Sequence, residues 1–176
     1  FIAATASLSK NYYIARQYLT DSASAGWKVK STFIIDPSQT SVATISANQV
    51  SLSLLAIGEL AGDARLTWFE TPQPKTFTLD IVQTDAGYRI SSSTVPAALS
   101  AKDFLRNYTH FNLYFLNSEF SRLVPDSVWL PSTAATSATQ VVKALLAGTP
   151  SDFRSALRSA IPEGSKLAIA AVTTVD

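Results

Sequence analysis

Between residues 31 and 90, short runs of alternating apolar and polar side chains predict a strand-rich region. Phe33-Ile34-Ile35 centres a strand from Ser31 to Asp36, and Val42 to Ser46 makes a second. Val50, Leu52, Leu54 and Ala56 alternate with Ser51, Ser53 and Leu55, the period of a half-buried third strand. Ala61-Gly62-Asp63 turns the chain, and Arg65 to Glu70 forms a fourth strand carrying Trp68 and Phe69. Thr71-Pro72-Gln73-Pro74 reads as a loop. Phe77, Leu79 and Ile81 then alternate with Thr76, Thr78 and Asp80. A tight turn at Thr84-Asp85-Ala86-Gly87 leads into a last strand opened by Tyr88 and Ile90. Ahead of the strands, Leu8, Tyr12, Ala15 and Leu19 recur at helical spacing, which predicts an amphipathic helix from Ser7 to Leu19. Phe1 to Ala4 reads as the tail of a helix, Thr20 to Gly26 as a polar loop, and Trp27 as a plug between helix and sheet.

The second half reads differently. Val95 to Ser100 is taken as a linker between two domains, residues 1–98 and 99–176. Phe111, Leu113 and Phe115 alternate with Asn112, Tyr114 and Leu116, and Asn117-Ser118-Glu119 turns. Leu123 to Asp126 and Val128 to Pro131 form the partner strand, and Pro125, lacking an N–H, puts that strand at an edge or a bulge. Ser132 or Thr133 offers a helix cap before the stripe Ala134, Ala138, Val141 and Leu145, with Gly148 and Pro150 as the stop. Ser151 or Asp152 then starts a short helix with Phe153 and Leu157 on one side. Ile161 to Gly164 turns, and Lys166 to Val172 is a third strand. The first domain, a helix followed by about six mostly antiparallel strands, is an α+β plan.

Composition narrows the chemistry. Of the 176 residues 47% are hydrophobic and 15% charged, which favours a packed core over disorder. Up to Leu105 there are eight basic and eight acidic residues, and from Arg106 six and five. Neither half has the basic excess of a nucleic-acid binder. The absence of cysteine removes thiol catalysis, disulfides and thiolate-ligated zinc. The joint lack of Cys and Met fits an oxidising, extracytoplasmic setting. No apolar run approaches the ~18 residues of a membrane span.

Candidate chemistry is sparse. His110 is the only histidine, and spacing supplies neither the orienting carboxylate nor the nucleophile that general-base catalysis needs, so it is expected at a surface or interface. Glu119 and Asp126 flank a strand and are expected to be surface charges. Asn107-Tyr108-Thr109 matches a glycosylation sequon in form only, and no glycine-rich phosphate loop occurs. No catalytic residue, cofactor-binding residue or metal ligand is assigned, and no cofactor is expected. An Asp–Tyr pocket could draw on Tyr12, Tyr88 and Asp80. The aromatics Tyr114, Phe120 and Trp129 are the candidate partner interface, because Trp and Tyr carry a large share of binding energy.

The wording of certain stretches is more specific than their pattern. Leu113-Tyr114-Phe115, Arg122-Leu123-Val124-Pro125-Asp126 with Trp129-Leu130-Pro131, and Val142-Lys143-Ala144-Leu145-Leu146-Ala147-Gly148 resemble the start of a GerMN (sporulation and germination-type) domain. The lead-in Leu99 to Phe104 with Tyr108, and Ala15 to Thr20 with Trp27, resemble the actinobacterial lipoprotein LpqB family. The first domain is similar to the NTF2-like (cystatin-like) superfold, a curved antiparallel sheet wrapped on helices.

The resemblance implies an extracytoplasmic module anchored through a lipid on an upstream cysteine, with a β-propeller downstream. It also implies a protein partner, the extracytoplasmic region of a two-component sensor histidine kinase, in cell-envelope and division control. It implies no enzyme activity and, for the second domain, a truncated GerMN α/β domain with an open edge near Leu167 to Val172. The alternatives are a ligand-binding or isomerase-like pocket in the first domain, and a structural spacer.

Overall fold

The computed structural model describes residues 1–7, 11–92, 94–132, 137–149 and 155–168. The chain divides into two compact units, Phe1–Gly62 with Leu66–Asn107, and Asp63–Arg65 with Tyr108–Asp176. Antiparallel pairing dominates an α+β architecture in both.

The first unit holds a curled five-stranded sheet in the order β4-β3-β2-β1-β5. The strands are β1 Ser31–Ser46, β2 Gln49–Ala61, β3 Leu66–Thr84, β4 Gly87–Ile90 and β5 Ala97–Ser100. Two expected breaks prove to be irregularities inside long strands. The pieces 31–36 and 42–46 are one strand, β1, whose pairing with β2 shifts between Asp36 and Ser41. The residues 71–74 lie within β3 rather than in a loop. Pairing jumps from Ala56↔Gln73 to Gly58↔Trp68, so Phe69 to Pro72 oppose Ile57 alone. Pro72 and Pro74 are tolerated because β4 pairs only with Ile81 to Thr84, which leaves that stretch of β3 at the sheet edge. At the next turn Gly87 has φ +94°, a conformation that costs glycine nothing.

The helical part is shorter than its periodicity suggests. Within the expected helix Ser7–Leu19, residues 8–10 lie outside the described set, and α1 covers only Tyr13–Arg16. Asn11 and Tyr12 sit in the left-handed region, which stops a helix from running through them. After Arg16 the backbone turns to β4: Ile90 donates its N–H to the Tyr18 carbonyl, and Thr20 donates its N–H to Ile90. The apolar spacing still reports burial, since Ala15 and Leu19 are both in the core. The expected loop Thr20 to Gly26 is instead α2, Asp21–Gly26, whose N-cap Thr20 accepts the Ala23 N–H at 3.2 Å. Phe1 to Ala4, read as the tail of a helix, runs into a 3-10 helix, Ile2–Ala6.

The expected linker is corrected most sharply. Ala97–Ser100 is β5, parallel to β1, and Ala97, Ala98 and Leu99 are each 1% exposed. The hydroxyl of Thr5 donates to the Ala98 carbonyl at 2.6 Å and accepts the Ala98 N–H at 3.1 Å. Trp27 fills the core as expected: its Nε1–H donates to the Val95 carbonyl, and the rings of Phe1 and Tyr12 meet it edge-on. The helix α3, Ala101–Asn107, closes this unit with Phe104 buried and in edge contact with Trp68.

Among the described residues the second unit holds a three-stranded sheet in the order β7-β6-β8, with β6 Tyr108–Asn117, β7 Leu123–Pro131 and β8 Leu157–Arg158. β6 and β7 pair without a shift from Tyr108↔Pro131 to Leu116↔Leu123. The turn between them is held by the Asn117 side chain, whose Oδ1 accepts the N–H groups of Ser121 and Arg122. Leu113, Phe115, Val128, Leu130 and Leu157 form the core, covered by Val141, Ala144 and Leu145 of α4, Ser137–Leu146. Gly148, at φ +83°, ends that helix as expected.

Thr133, Ala134 and residues 150–154 lie outside the described residues. Leu157, expected on a helix, is in a strand against Asn117. Among the described residues the third strand of this sheet is β8. Lys166 to Ala168 are not in a strand, and residues 169–176 lie outside the described set. The turn at Ile161 to Gly164 is present, closed by the Ser165 N–H on the Pro162 carbonyl.

Candidate interaction surface

Antiparallel register decides which side chains share a face, because paired residues point the same way and neighbours alternate. Across β6 and β7 one face carries the rows Phe111–Val128 and Phe115–Val124, with Val128 and Phe115 buried and Phe111 and Val124 partly buried. The other face carries His110–Trp129, Asn112–Ser127, Tyr114–Pro125 and Leu116–Leu123. Its middle is polar: Ser127 Oγ donates to Asn112 Oδ1 at 3.2 Å. Its ends are apolar. The rings of His110 and Trp129 lie 5.3 Å apart, while Tyr114 is 55% and Leu123 65% exposed.

Of the aromatics singled out above, Tyr114 and Trp129 therefore share this face, about 13 Å apart along the strands at roughly 3.3 Å per residue. Phe120 stands in the adjoining turn, 61% exposed and at φ +58°. An aromatic in the left-handed region of a turn is unusual, and the Asn117 side chain bonds are what hold that turn. Leu123 belongs to the surface too. Pairing to Leu116 is the signal that places it there, and it needs the register to be read.

The edge of β7 beyond this face is closed by a turn of the same unit. Trp129 donates its N–H to the Ala64 carbonyl at 2.7 Å. Arg65 pairs with Asp126, its Nε donating to Oδ1 at 3.1 Å and its Nη2 bonding Oδ2, and pairs with Asp63 at 2.9 Å. Burial opposes the charge on Arg65, but the bonds and negative charges of Asp126 and Asp63 outweigh it and raise the pKa. Asp126, expected as a surface charge, is thus a nearly buried ion-pair partner. Sixty residues of chain separate the two, so no local pattern could show it. Glu119 is exposed in the turn and His110 is exposed on the strand, as read above.

The residues considered for a pocket are not gathered together. Tyr12 packs edge-on against Trp27 in the core. Tyr88 is 61% exposed on β4, and Asp80 is exposed on β3, holding Gln49 Nε2 and Ser92 Oγ. Among the described residues no group of three His, Asp or Glu could hold a metal ion. No helix among them is long and apolar enough to cross a membrane.

These features define a two-unit α+β protein that displays aromatic side chains on an exposed strand pair. Comparison with known proteins gives the family. Residues 1–105 match the model of the N-terminal domain of lipoprotein LpqB, and residues 112–176 match the family described as sporulation and spore germination. The chain belongs to the lipoprotein LpqB family. It is similar to lipoprotein LpqB of Cutibacterium acnes, 28% identical over 177 residues, covering 100% of this chain and 29% of that protein. The Mycolicibacterium smegmatis lipoprotein LpqB is 30% identical over 173 residues, 95% of this chain and 29% of its own length. That of Bifidobacterium longum is 29% identical over 175 residues, 93% and 30%. The chain thus spans less than a third of the curated relatives it matches. No solved structure gives a significant match.

Proposed function

We propose that this chain is a non-catalytic, extracytoplasmic protein-binding module, and that its docking surface is the outward face of β6 and β7. The observation that carries the reading is the exposure of Tyr114, Phe120 and Leu123 around one hairpin. Exposed aromatics of this kind anchor interfaces, because they bury much surface with little loss of side-chain freedom. The relatives' name supports a place at the cell envelope through a lipid anchor. The partner we propose is the extracytoplasmic region of a two-component sensor histidine kinase.

The test is a pull-down of that region by this chain, with affinities from surface plasmon resonance. Capture is expected, and a Tyr114→Ala/Phe120→Ala variant is expected to bind about tenfold more weakly. Equal capture by the variant rejects the surface, and no capture by either rejects the partner. A structural spacer is the rival reading. Replacement by an unrelated domain of equal length would preserve function under that reading and abolish it under ours. Short helices packed on a curled antiparallel sheet support an NTF2-like fold for the first unit. An isomerase-like site of Tyr12, Tyr88 and Asp80 draws no support from their separate positions.

A further inference from the structure

The first unit contains a cleft of ≈ 390 Å³ with an apolar wall and a basic rim. Its volume falls in the range of about 300–1,000 Å³ typical of small-molecule sites. The wall includes Val29, Phe33, Phe77 and Val95. Phe33 is on β1 and Phe77 on β3, with β2 between them, yet their ring centroids lie 6.0 Å apart. Both rings therefore stand on the inner side of the curled sheet, half-exposed where the core cluster ends. Lys28 and Lys30 line the opening and are exposed. Lys75 lies outside the lining, its Nζ 5.9 Å from the Phe33 ring and bonded to Gln73 Oε1.

The charged residues that line this cleft are both basic; Glu59, which pairs with Phe33 across β1 and β2, shares its face but does not line the cleft. No acidic residue lines the cleft, and among the described residues neither Lys28 nor Lys30 has a carboxylate partner. Up to Leu105 the chain as a whole is balanced in charge, with eight basic residues, these lysines included, and eight acidic. An apolar slot with cations at one end suits a molecule with an apolar tail and an anionic head. The tail leaves water, and the head stays at the rim, where lysines attract it through solvent.

We infer that this cleft binds a single-chain amphiphile with a carboxylate head, of the fatty-acid type. The apolar wall holds the chain against Phe33 and Phe77, and Lys28 and Lys30 select the head. The cleft and the β6–β7 face lie in different units, so a failed test of one leaves the other standing.

The test is calorimetric titration of the whole chain with decanoate, decanol and decyltrimethylammonium below their aggregation concentrations. Decanoate should bind tightest and decyltrimethylammonium weakest. The Lys28→Gln/Lys30→Gln variant, which changes only exposed side chains, should weaken decanoate about fivefold and leave decanol unchanged. Raising salt should erase the difference between wild type and variant. Equal decanoate affinity in the variant, or no decanoate binding by the wild type, would overturn the inference. So would lysine-dependent binding to phosphatidylglycerol vesicles without binding of monomeric decanoate, which would assign the lysines to a membrane surface.

Discussion

The two sheets differ in how evenly their strands pair. β6 and β7 run in one register from the first pair to the last, and every apolar residue on the inner face falls at period two. β1, β2 and β3 are longer, and each pairing is interrupted, at Ile34/Ile35, Asp36/Ser41 and Thr44/Ser46 in one case and at Ala56/Gly58 in the other. The interruptions are what allow the sheet to curl, since extra residues on one strand bend it and sharpen its twist. Hydrophobic alternation survives only as far as the register does. A regular hairpin can be read straight from its residues, whereas a curved sheet looks like a series of short strands.

That contrast can be broken at several points. The largest effect is expected in the regular sheet. Phe115 is 2% exposed, and Phe115→Ala should cost about 4 kcal/mol in a denaturant titration by leaving a cavity the even pairing cannot close. A loss below about 1 kcal/mol would show that this core is loosely packed. Next comes the irregular sheet. A Cβ on Gly58 would lie 2.9 Å from the Thr67 carbonyl oxygen and 2.9 Å from Trp68 Cε3. Gly58→Ala should therefore cost about 3 kcal/mol, with faster amide exchange around Thr67 and Trp68 as the local sign.

Asp126→Ala removes the main partner of Arg65 but leaves Asp63, so about 2 kcal/mol is expected from thermal unfolding. Tyr114→Ser should change stability by less than about 0.5 kcal/mol, because the side chain is mostly in water. A larger loss would mean that Tyr114 supports the fold rather than a docking surface.

Much of this was legible beforehand, for reasons tied to particular residues. Pro125 announced an edge strand, and the sheet order places β7 at the edge. Gly87 and Gly148 announced a turn and a helix stop, and both adopt positive φ. The rest depended on distant partners. Ala97 to Ser100 looked like a linker because four residues are too few to show a period. Their role as a buried strand comes from β1, more than sixty residues earlier. The helix at 21–26 was hidden by its small polar residues, with only the Thr20 cap to mark it. For the proposed surface, Tyr114, Phe120 and Trp129 were visible as aromatics. Which of them share a face was a matter of register.

Trp129 N–H points away from β6 toward Ala64, so the N–H positions of Leu123, Pro125, Ser127 and Pro131 also point outward, by strand alternation. Two of those five sites are prolines without a hydrogen to donate, and Ala64 occupies a third. A foreign strand approaching this flank finds only Leu123 and Ser127 as donors, too few to extend the sheet. Copies crowded side by side would thus resist fusing into fibres through this flank, while the aromatic face beside it stays open to a chosen partner.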